Sequence, residues 1–166
     1  QTTIAVKVFE TEDAIKNGAD EIDYMINQTE LKNGNWDYIQ SEMEQITAMC
    51  HKYNVPLIIN DNVAVALKSG ADGVHVGIED APVAEIRKRV SADFIIGATC
   101  KTVEQAKIAE AAGADYMGVG AVFPSPTKTN AVRITNAQLR EIVSAVSIPA
   151  VAIGGISYDN VCEIKG

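Results

Sequence analysis

The amino-acid sequence predicts an α/β fold of the (βα)₈ type, the TIM barrel, built here from six consecutive strand–helix units. Six short apolar segments recur along the chain, and amphipathic stretches separate them. Most of these segments are apolar at successive positions, which is typical of parallel strands that helices cover on both faces. Because a complete barrel has eight strands, we expect an incomplete ring whose two outer strands leave open sheet edges.

The predicted elements alternate regularly, which indicates a parallel sheet. An opening helix is predicted over about Val6–Lys16. The strands are predicted over Glu21–Asn27, Pro56–Asp61, Gly73–Gly77, Phe94–Thr99, Tyr116–Phe123 and Pro149–Gly155. The connecting helices are predicted over Asp37–Tyr53, Val63–Ser69, Val83–Val90, Thr102–Ala112 and Asn136–Val146. Thr102 and Gln105 have the spacing of a capping box.

An internal repeat favours a barrel over a doubly wound sheet. Gly18-Ala19-Asp20, Gly70-Ala71-Asp72 and Gly113-Ala114-Asp115 each end a predicted helix and open a strand. Glycine suits the end of a helix, where left-handed backbone angles are common. Between these repeats, Val55-Pro56 and Ile148-Pro149 open the alternate strands. A repeat every two strand–helix units is expected in a barrel and is not expected in a doubly wound sheet.

The whole chain, residues 1–166, is predicted to form one domain. Residues 1 to about 50 are richer in Asn and Glu than the Val-, Ala- and Gly-rich remainder, so we expect a seam of ancestry near residues 50–54. The chain begins with Gln1 instead of Met and stops at Lys165-Gly166 inside a predicted helix. We therefore expect a fragment of a longer protein.

The charge of the chain argues against a general nucleic-acid-binding function. The net charge is −8 and the pI is near 4.7, and the sequence shows no basic face for a polyanion. No run of 18 apolar residues and no signal peptide is visible, so we expect no membrane association. Cys50, Cys100 and Cys162 lie far apart without a Cys-x-x-Cys motif, which fits reduced thiols in a cytoplasmic protein.

Two carboxylates are expected at the active end of the barrel. Catalytic groups in this fold stand at the C-terminal ends of the strands, and Asp61 and Asp80 follow two neighbouring predicted strands. Two such carboxylates can share a Mg²⁺ ion whose remaining positions take phosphate oxygens. The alternative is that both aspartates cap the helices that follow them.

Other groups at these strand ends are candidates for phosphate binding. The loop Ser125-Pro126-Thr127-Lys128 offers two hydroxyl groups and one ammonium group, and two prolines stiffen it. Gly154-Gly155 allows a ligand to approach the backbone closely. Thr99 ends the fourth predicted strand and could donate a hydrogen bond to phosphate. Each also has a structural explanation, as a helix-capping loop, a turn or a strand end.

Four longer stretches follow one another over about residues 54–166: Val55–Asp61, Gly70–Gly77 with Glu79-Asp80, Gly118–Pro124 with Thr127-Lys128, and Val151–Ile156. Together they resemble the thiamine-phosphate synthase family. The resemblance implies a transferase of thiamine biosynthesis that uses Mg²⁺. Such an enzyme couples hydroxymethylpyrimidine diphosphate to thiazole phosphate and releases pyrophosphate.

The resemblance also implies a role for each matching residue. Asp61 and Asp80 match the two magnesium ligands. The implied substrate contacts are Asn60 and Thr99 for the pyrimidine diphosphate, Ser125 and Thr127 for the thiazole phosphate, Lys128 for the diphosphate, and Gly155 through its backbone amide. The implied mechanism is dissociative, and Lys128 would stabilise the departing pyrophosphate. Lys128 and Thr99 are therefore the expected catalytic residues.

Several departures from the family pattern bear on activity. The family's Gln-x-Arg-x-Lys segment, which grips the diphosphate, is not recognisable in Asn27–Lys32. Ile78 replaces the usual Gln, and Thr129-Asn130 replaces a typical Lys-Asp pair. The closing strand, with its Ser-Ala-Ile phosphate loop, has no counterpart. A non-catalytic fragment is therefore an alternative to an active enzyme.

Residues 1 to about 50 contain three segments of a different character, Thr2–Glu10, Asp13–Asp23 and Leu31–Asp37. They resemble another family, deoxyribose-phosphate aldolase, and the resemblance implies that Asp23 is a catalytic aspartate. That family needs a Schiff-base lysine, but the fifth and sixth predicted strands carry no lysine. We therefore expect a chimera of two related barrels, with an aldolase-like lyase as the alternative function. The open sheet edges predict self-association into a homo-oligomer.

Overall fold

A computed structural model describes residues 2–124 and 133–164 of the chain. The strands are β1 (Ile22–Tyr24), β2 (Leu57–Asn60), β3 (Gly73–Val76), β4 (Ile95–Cys100), β5 (Tyr116–Gly120) and β6 (Ala150–Ile153). The α-helices are α1 (Ile4–Lys16), α2 (Gln28–Lys32), α3 (Trp36–Lys52), α4 (Val63–Ser69), α5 (Val83–Arg87), α6 (Val103–Ala111) and α7 (Asn136–Ser144). A short 3₁₀-helix covers Val161–Ile164.

The predicted class of fold is confirmed. The six strands form one sheet whose strand order follows the order along the chain, and the described pairings are parallel. Sequential parallel strands with intervening helices are typical of the TIM-type fold. Within the described residues, no helix combines the length and the apolar character needed to cross a membrane. The incomplete ring and the single domain with a seam near residues 50–54 stay predictions.

One helix was not predicted, and it shortens the first strand. The side chain of Asn27 accepts hydrogen bonds from the N–H groups of Thr29 and Glu30, each at 3.1 Å. These bonds make Asn27 the N-cap of α2, so β1 ends at Tyr24 instead of continuing to Asn27 as predicted.

Helix capping follows the prediction in part. Thr102 accepts the N–H of Gln105 at 3.1 Å, but the side chain of Gln105 accepts the N–H of Lys101 at 2.8 Å instead of that of Thr102. A reciprocal capping box forms at Thr135 and Gln138, at the start of α7. Helix α7 therefore has the complete capping box, whereas α6 has only the bond to the side chain of Thr102.

The chain divides into two compact units, and the first comprises residues 1–75 and 91–95. Within this first unit, Asp23 of β1 lies opposite Ile58 of β2, and Asn60 of β2 lies opposite His75 of β3. The apolar core of the unit is built from β2 and α3. Its fully or nearly fully buried members include Leu57, Ile58, Ile59, Ile39, Met43 and Ile46.

A buried carboxylate links α1, β1 and α3 in the first unit. Glu42 is fully buried and accepts a short hydrogen bond from the ammonium group of Lys7. It also accepts the hydroxyl of Tyr24 and the backbone N–H of Asn27, both at 3.1 Å. A buried charge is costly unless it is paired and hydrogen-bonded, and here these contacts satisfy it while they join α1 to β1 and α3.

The second unit comprises residues 76–90 and 96–166. Within it, β4, β5 and β6 pair in parallel, with Thr99 opposite Gly118 and Gly120 opposite Ile153. Its core includes the buried side chains of Ile96, Met117, Val119, Val122 and Ile142. Val151 of β6, by contrast, keeps 46% of its surface exposed.

The Gly-Ala-Asp repeat has a structural function at the starts of strands. Asp72 accepts the backbone N–H of Leu57 at 2.8 Å, and Asp115 accepts that of Ile96 at 2.7 Å. The predicted left-handed conformation of the glycines is confirmed by positive φ angles of 95°, 68° and 92° at Gly18, Gly70 and Gly113. Each repeat therefore ends a helix, and two of them also hold the beginning of the preceding strand.

Candidate active site

Asn60 and Asp61 stand at the C-terminal end of β2 in the first unit, where the sequence placed them. Asp61 is exposed and adopts φ = 63°, a left-handed conformation that Asp tolerates better than most residues. Its backbone N–H donates to the carbonyl of His75 at 2.8 Å, which holds the turn against β3. The chain therefore changes direction at Asp61, immediately before α4.

Neither predicted metal ligand caps the helix that follows it, so the helix-capping alternative is wrong. Helix α4 is capped by Asn62, whose side chain accepts the N–H of Val65 at 2.9 Å. Helix α5 in the second unit has Pro82 at its N-cap position. The carboxylate of Asp80 instead accepts the N–H of Gly77 at 2.7 Å, in the turn after β3.

Asp23 of β1 is a second carboxylate near the C-terminal end of β2 in the first unit. Its side chain accepts a short hydrogen bond from Nδ2 of Asn60. Partial removal of the carboxyl from water, followed by the negative charge of Glu21, raises its pKa to about 6. The hydrogen bond from Asn60 lowers the pKa, and the charge of Asp61 adds a smaller increase. Asp23 as a whole is nevertheless exposed to solvent.

Asp61 carries carboxylate oxygens of the kind that a hard cation prefers, and Asp23 and Asn60 lie beside it. Carboxylate and amide oxygens are preferred ligands of Mg²⁺, and an ion beside Asp61 would offset the mutual repulsion of the two carboxylates. The described residues contain no group of three or more His, Cys, Asp or Glu side chains arranged to hold a metal ion. Magnesium commonly binds through one or two protein carboxylates together with substrate and water.

In the second unit, Gly155 lies against the segment that leads into the predicted phosphate loop. Its φ is 66°, and a Cβ atom at this position would collide with the carbonyl oxygens of Phe123 and Pro124. Only glycine fits such a close approach of two backbone segments. Thr99, also in this unit, lies near the end of β4 opposite Gly118.

The residues of the predicted phosphate loop, Ser125, Thr127 and Lys128, lie outside the described residues. Their predicted roles therefore stay predictions, as do the substrate contacts of Asn60, Thr99 and Gly155.

Asn160 is a residue of this region that the sequence did not indicate. Its Nδ2 donates to the carbonyl of Gly155 at 2.9 Å, and its Oδ1 accepts the N–H of Ser157 at 2.7 Å. The two bonds hold the turn that carries Gly155. In the sequence, this role was indicated only by the position of an asparagine five residues after the Gly-Gly pair, which is a weak signal.

The comparison with known proteins decides the family. A model of the thiamine monophosphate synthase family matches residues 7–166. The chain belongs to this family. The thiamine-phosphate synthase of Caldivirga maquilingensis is 45% identical over 140 residues, which are 84% of this chain and 68% of that protein. The synthase of Ruminiclostridium cellulolyticum is 47% identical over 129 residues, 78% of this chain and 61% of that protein.

A solved structure of the same family has a similar fold. A thiamine phosphate pyrophosphorylase from Pyrococcus furiosus superposes with a TM-score of 0.81 at 35% identity. The match covers 95% of this chain and 73% of that chain. The matched regions therefore span between 61% and 73% of these three relatives. The predicted likeness to thiamine-phosphate synthase is confirmed.

The separate aldolase ancestry predicted for residues 1–50 is not supported. The family match begins at residue 7 and runs through the expected seam to residue 166. A putative deoxyribose-phosphate aldolase from Coccidioides immitis superposes with a TM-score of 0.58 at 18% identity, a likeness that shows the fold alone. Related barrels share helix and strand patterns, and such patterns do not establish a common reaction.

Proposed function

We propose that the chain catalyses thiamine-phosphate synthesis, in which hydroxymethylpyrimidine diphosphate and thiazole phosphate are joined and pyrophosphate is released. The observation that carries this proposal is the family match over residues 7–166. It is supported by the two aspartates after β2 and β3, whose carboxylates are not used to cap α4 or α5. Among (βα)₈ enzymes, these strand ends are where catalytic groups stand.

In this proposal, Asp61 and Asp80 would hold Mg²⁺, which would supply positive charge to the diphosphate leaving group. Asn60 and Thr99 would bind the pyrimidine substrate. The thiazole phosphate would be bound by Ser125 and Thr127 together with the backbone amide of Gly155. Lys128 would donate to the diphosphate and stabilise the negative charge that grows as the carbon–oxygen bond breaks.

Product formation tests this function directly. The purified chain, incubated with both phosphorylated substrates and Mg²⁺, should yield thiamine phosphate and pyrophosphate in equal amounts, measured by chromatography and mass spectrometry. A chelator should stop the reaction, and added Mg²⁺ should restore it. Absence of product at every Mg²⁺ concentration would refute the proposal for this chain and favour a non-catalytic fragment.

Lys128→Ala should lower kcat by about 100-fold, which corresponds to roughly 3 kcal/mol of lost transition-state stabilisation. The matched control is Lys107→Ala, because Lys107 is an exposed lysine on α6 of the second unit. Steady-state kinetics of both variants would check the prediction. Equal kcat values for the two variants would contradict the role of Lys128.

We also propose that the protein acts in the cytoplasm and self-associates. The support for self-association is the exposure of apolar residues on β6, where Val151 and Ile153 are 46% and 37% exposed. Sedimentation velocity should show a concentration-dependent assembly larger than the monomer. A monomer at all concentrations would contradict the second part of this proposal.

A further inference from the structure

Asp23 lies beside the proposed site, but the proposed reaction gives it no role. It stands in β1 opposite Ile58, two residues before Asn60 on the neighbouring strand. Its carboxylate accepts the hydrogen bond from Nδ2 of Asn60. This contact joins a residue that the sequence linked to aldolases with a residue expected to bind the pyrimidine substrate.

The chemistry of this contact determines the orientation of the Asn60 amide. An ionised carboxylate only accepts hydrogen bonds, whereas an amide side chain has a donating nitrogen and an accepting oxygen. The nitrogen of Asn60 must therefore face Asp23. The carbonyl oxygen occupies the other branch of the planar amide and is directed away from that carboxylate.

The orientation matters because the substrate contains groups of both kinds. The diphosphate of the pyrimidine substrate presents acceptor oxygens, and its aminopyrimidine ring presents a donating amino group. An Asn60 whose nitrogen is engaged by Asp23 is suited to accept a hydrogen bond from the amino group. A freely rotating amide would serve either end of the substrate.

We propose that Asp23 is a positioning residue that orients Asn60, so that the Asn60 carbonyl oxygen accepts a hydrogen bond from the amino group of the pyrimidine substrate. The proposal rests on the proposed synthase function and names the part of the substrate that Asn60 recognises. Asp23 itself touches Asn60 and acts through it.

The test compares two substrates in the wild-type chain and in Asp23→Ala. One substrate is the aminopyrimidine diphosphate, and the other is the same compound with hydrogen in place of the amino group. A single neutral hydrogen bond accounts for about a tenfold preference, so the wild type should bind the amino compound with a Kd about tenfold lower, measured by calorimetry. Asp23→Ala should reduce this preference to about twofold and leave kcat within about threefold.

Two further variants separate positioning from stability. Asp23→Asn can still accept from Asn60 through its own carbonyl oxygen, so it should retain part of the preference. Asp93→Asn alters an exposed aspartate of the same unit and should retain all of it. Thermal melting of each variant identifies a folding defect. If Asp23→Ala does not fold, Asp23→Asn provides the test, and its preference for the amino compound must be at least about threefold smaller than that of the wild type.

The outcomes distinguish this inference from the function on which it rests. Turnover by the wild type with an unchanged amino-group preference in a folded Asp23→Ala would overturn the positioning role alone. No turnover by the wild type with either pyrimidine would refute the synthase function and the positioning role together. Loss of the preference at an unchanged melting temperature is the result that the positioning role requires.

Discussion

At the starts of two strands, aspartates bind backbone N–H groups and basic side chains, whereas Asp23 and Asp61, in β1 and just after β2, lie close enough for their negative charges to interact. Asp72 accepts the N–H of Leu57 at 2.8 Å and lies 3.1 Å from Nε2 of His51. Asp115 accepts the backbone N–H of Ile96 at 2.7 Å and a hydrogen bond from Nη2 of the Arg87 guanidinium group at 2.5 Å. These contacts give each carboxylate a backbone donor and a nitrogen of a basic side chain.

The aspartates at the strand ends of the first unit have a different electrostatic environment. Partial removal from water and the charges of Glu21 and Asp61 raise the pKa of the Asp23 carboxyl to about 6. Carboxylates that stabilise a fold are normally arranged beside donors, so a group of mutually repelling carboxylates indicates a ligand site. The same residue type therefore serves structure at one end of a parallel strand and, in our proposal, chemistry at the other.

The largest expected difference between the aspartates at strand starts and those at strand ends is in catalysis. Asp61→Asn should lower kcat/KM by about 100- to 1,000-fold, because it removes a charge that would hold the cation against the leaving group. Its melting temperature should stay close to that of the wild type, since Asp61 is exposed. A pyrophosphate-release assay measures the first quantity. A large fall in melting temperature with unchanged kcat/KM would reverse the assignment of roles.

A smaller effect, on stability, is expected at the strand starts. Asp115→Ala should lower the free energy of unfolding by about 2 kcal/mol, because the N–H of Ile96 and the guanidinium group of Arg87 lose their acceptor. Urea denaturation would measure this change, with exposed Asp93→Ala as the control. Equal stabilities of the two variants would show that Asp115 does not hold the strand start.

The smallest effect is expected from neutralising Asp23. Its folded-state pKa of about 6 lies above the ordinary 3.8, so the ionised carboxyl lowers stability at high pH. Asp23→Asn should therefore be more stable than the wild type by about 1 kcal/mol at pH 8, a value reduced for solvent screening of this exposed group.

That stability difference should depend on pH in one direction only. It should shrink as the pH falls through about 6 and vanish below about 4, where both folded and unfolded wild-type chains carry a protonated Asp23. Urea denaturation at several pH values would follow the trend. A difference that is independent of pH, or one that grows at low pH, would contradict the electrostatic environment described for Asp23.

Much of the fold could be predicted from sequence because buried parallel strands are continuous apolar runs between turn residues. The predicted bounds of α4, Val63–Ser69, agree with the structure. The helix α2 was missed because Asn27 follows an apolar segment and was assigned to the end of the first strand, although Asn is a common N-cap residue. The burial of Glu42 was also unpredictable, since its partners Lys7 and Tyr24 are distant in sequence.

The residues of the candidate site that follow from the position of a strand end could be predicted from the sequence. The contacts that depend on how neighbouring strands are aligned could not. The position of Asp61 follows from the end of β2, which the apolar run defines. The contact between Asp23 and Asn60 depends on the register of β1 against β2, which a single sequence does not specify. For the same reason, the support that Asn160 gives to Gly155 became visible only in the folded chain.

Calorimetric titration of the chain with pyrophosphate in the presence of Mg²⁺ tests most directly whether the strand-end carboxylates form a cation and diphosphate site. The wild type and the control Asp93→Asn should bind with the same affinity, and binding should disappear without Mg²⁺. Asp61→Asn should bind at least about tenfold more weakly, because one ligand of the cation is lost. An affinity for pyrophosphate that Asp61→Asn leaves unchanged would contradict the account.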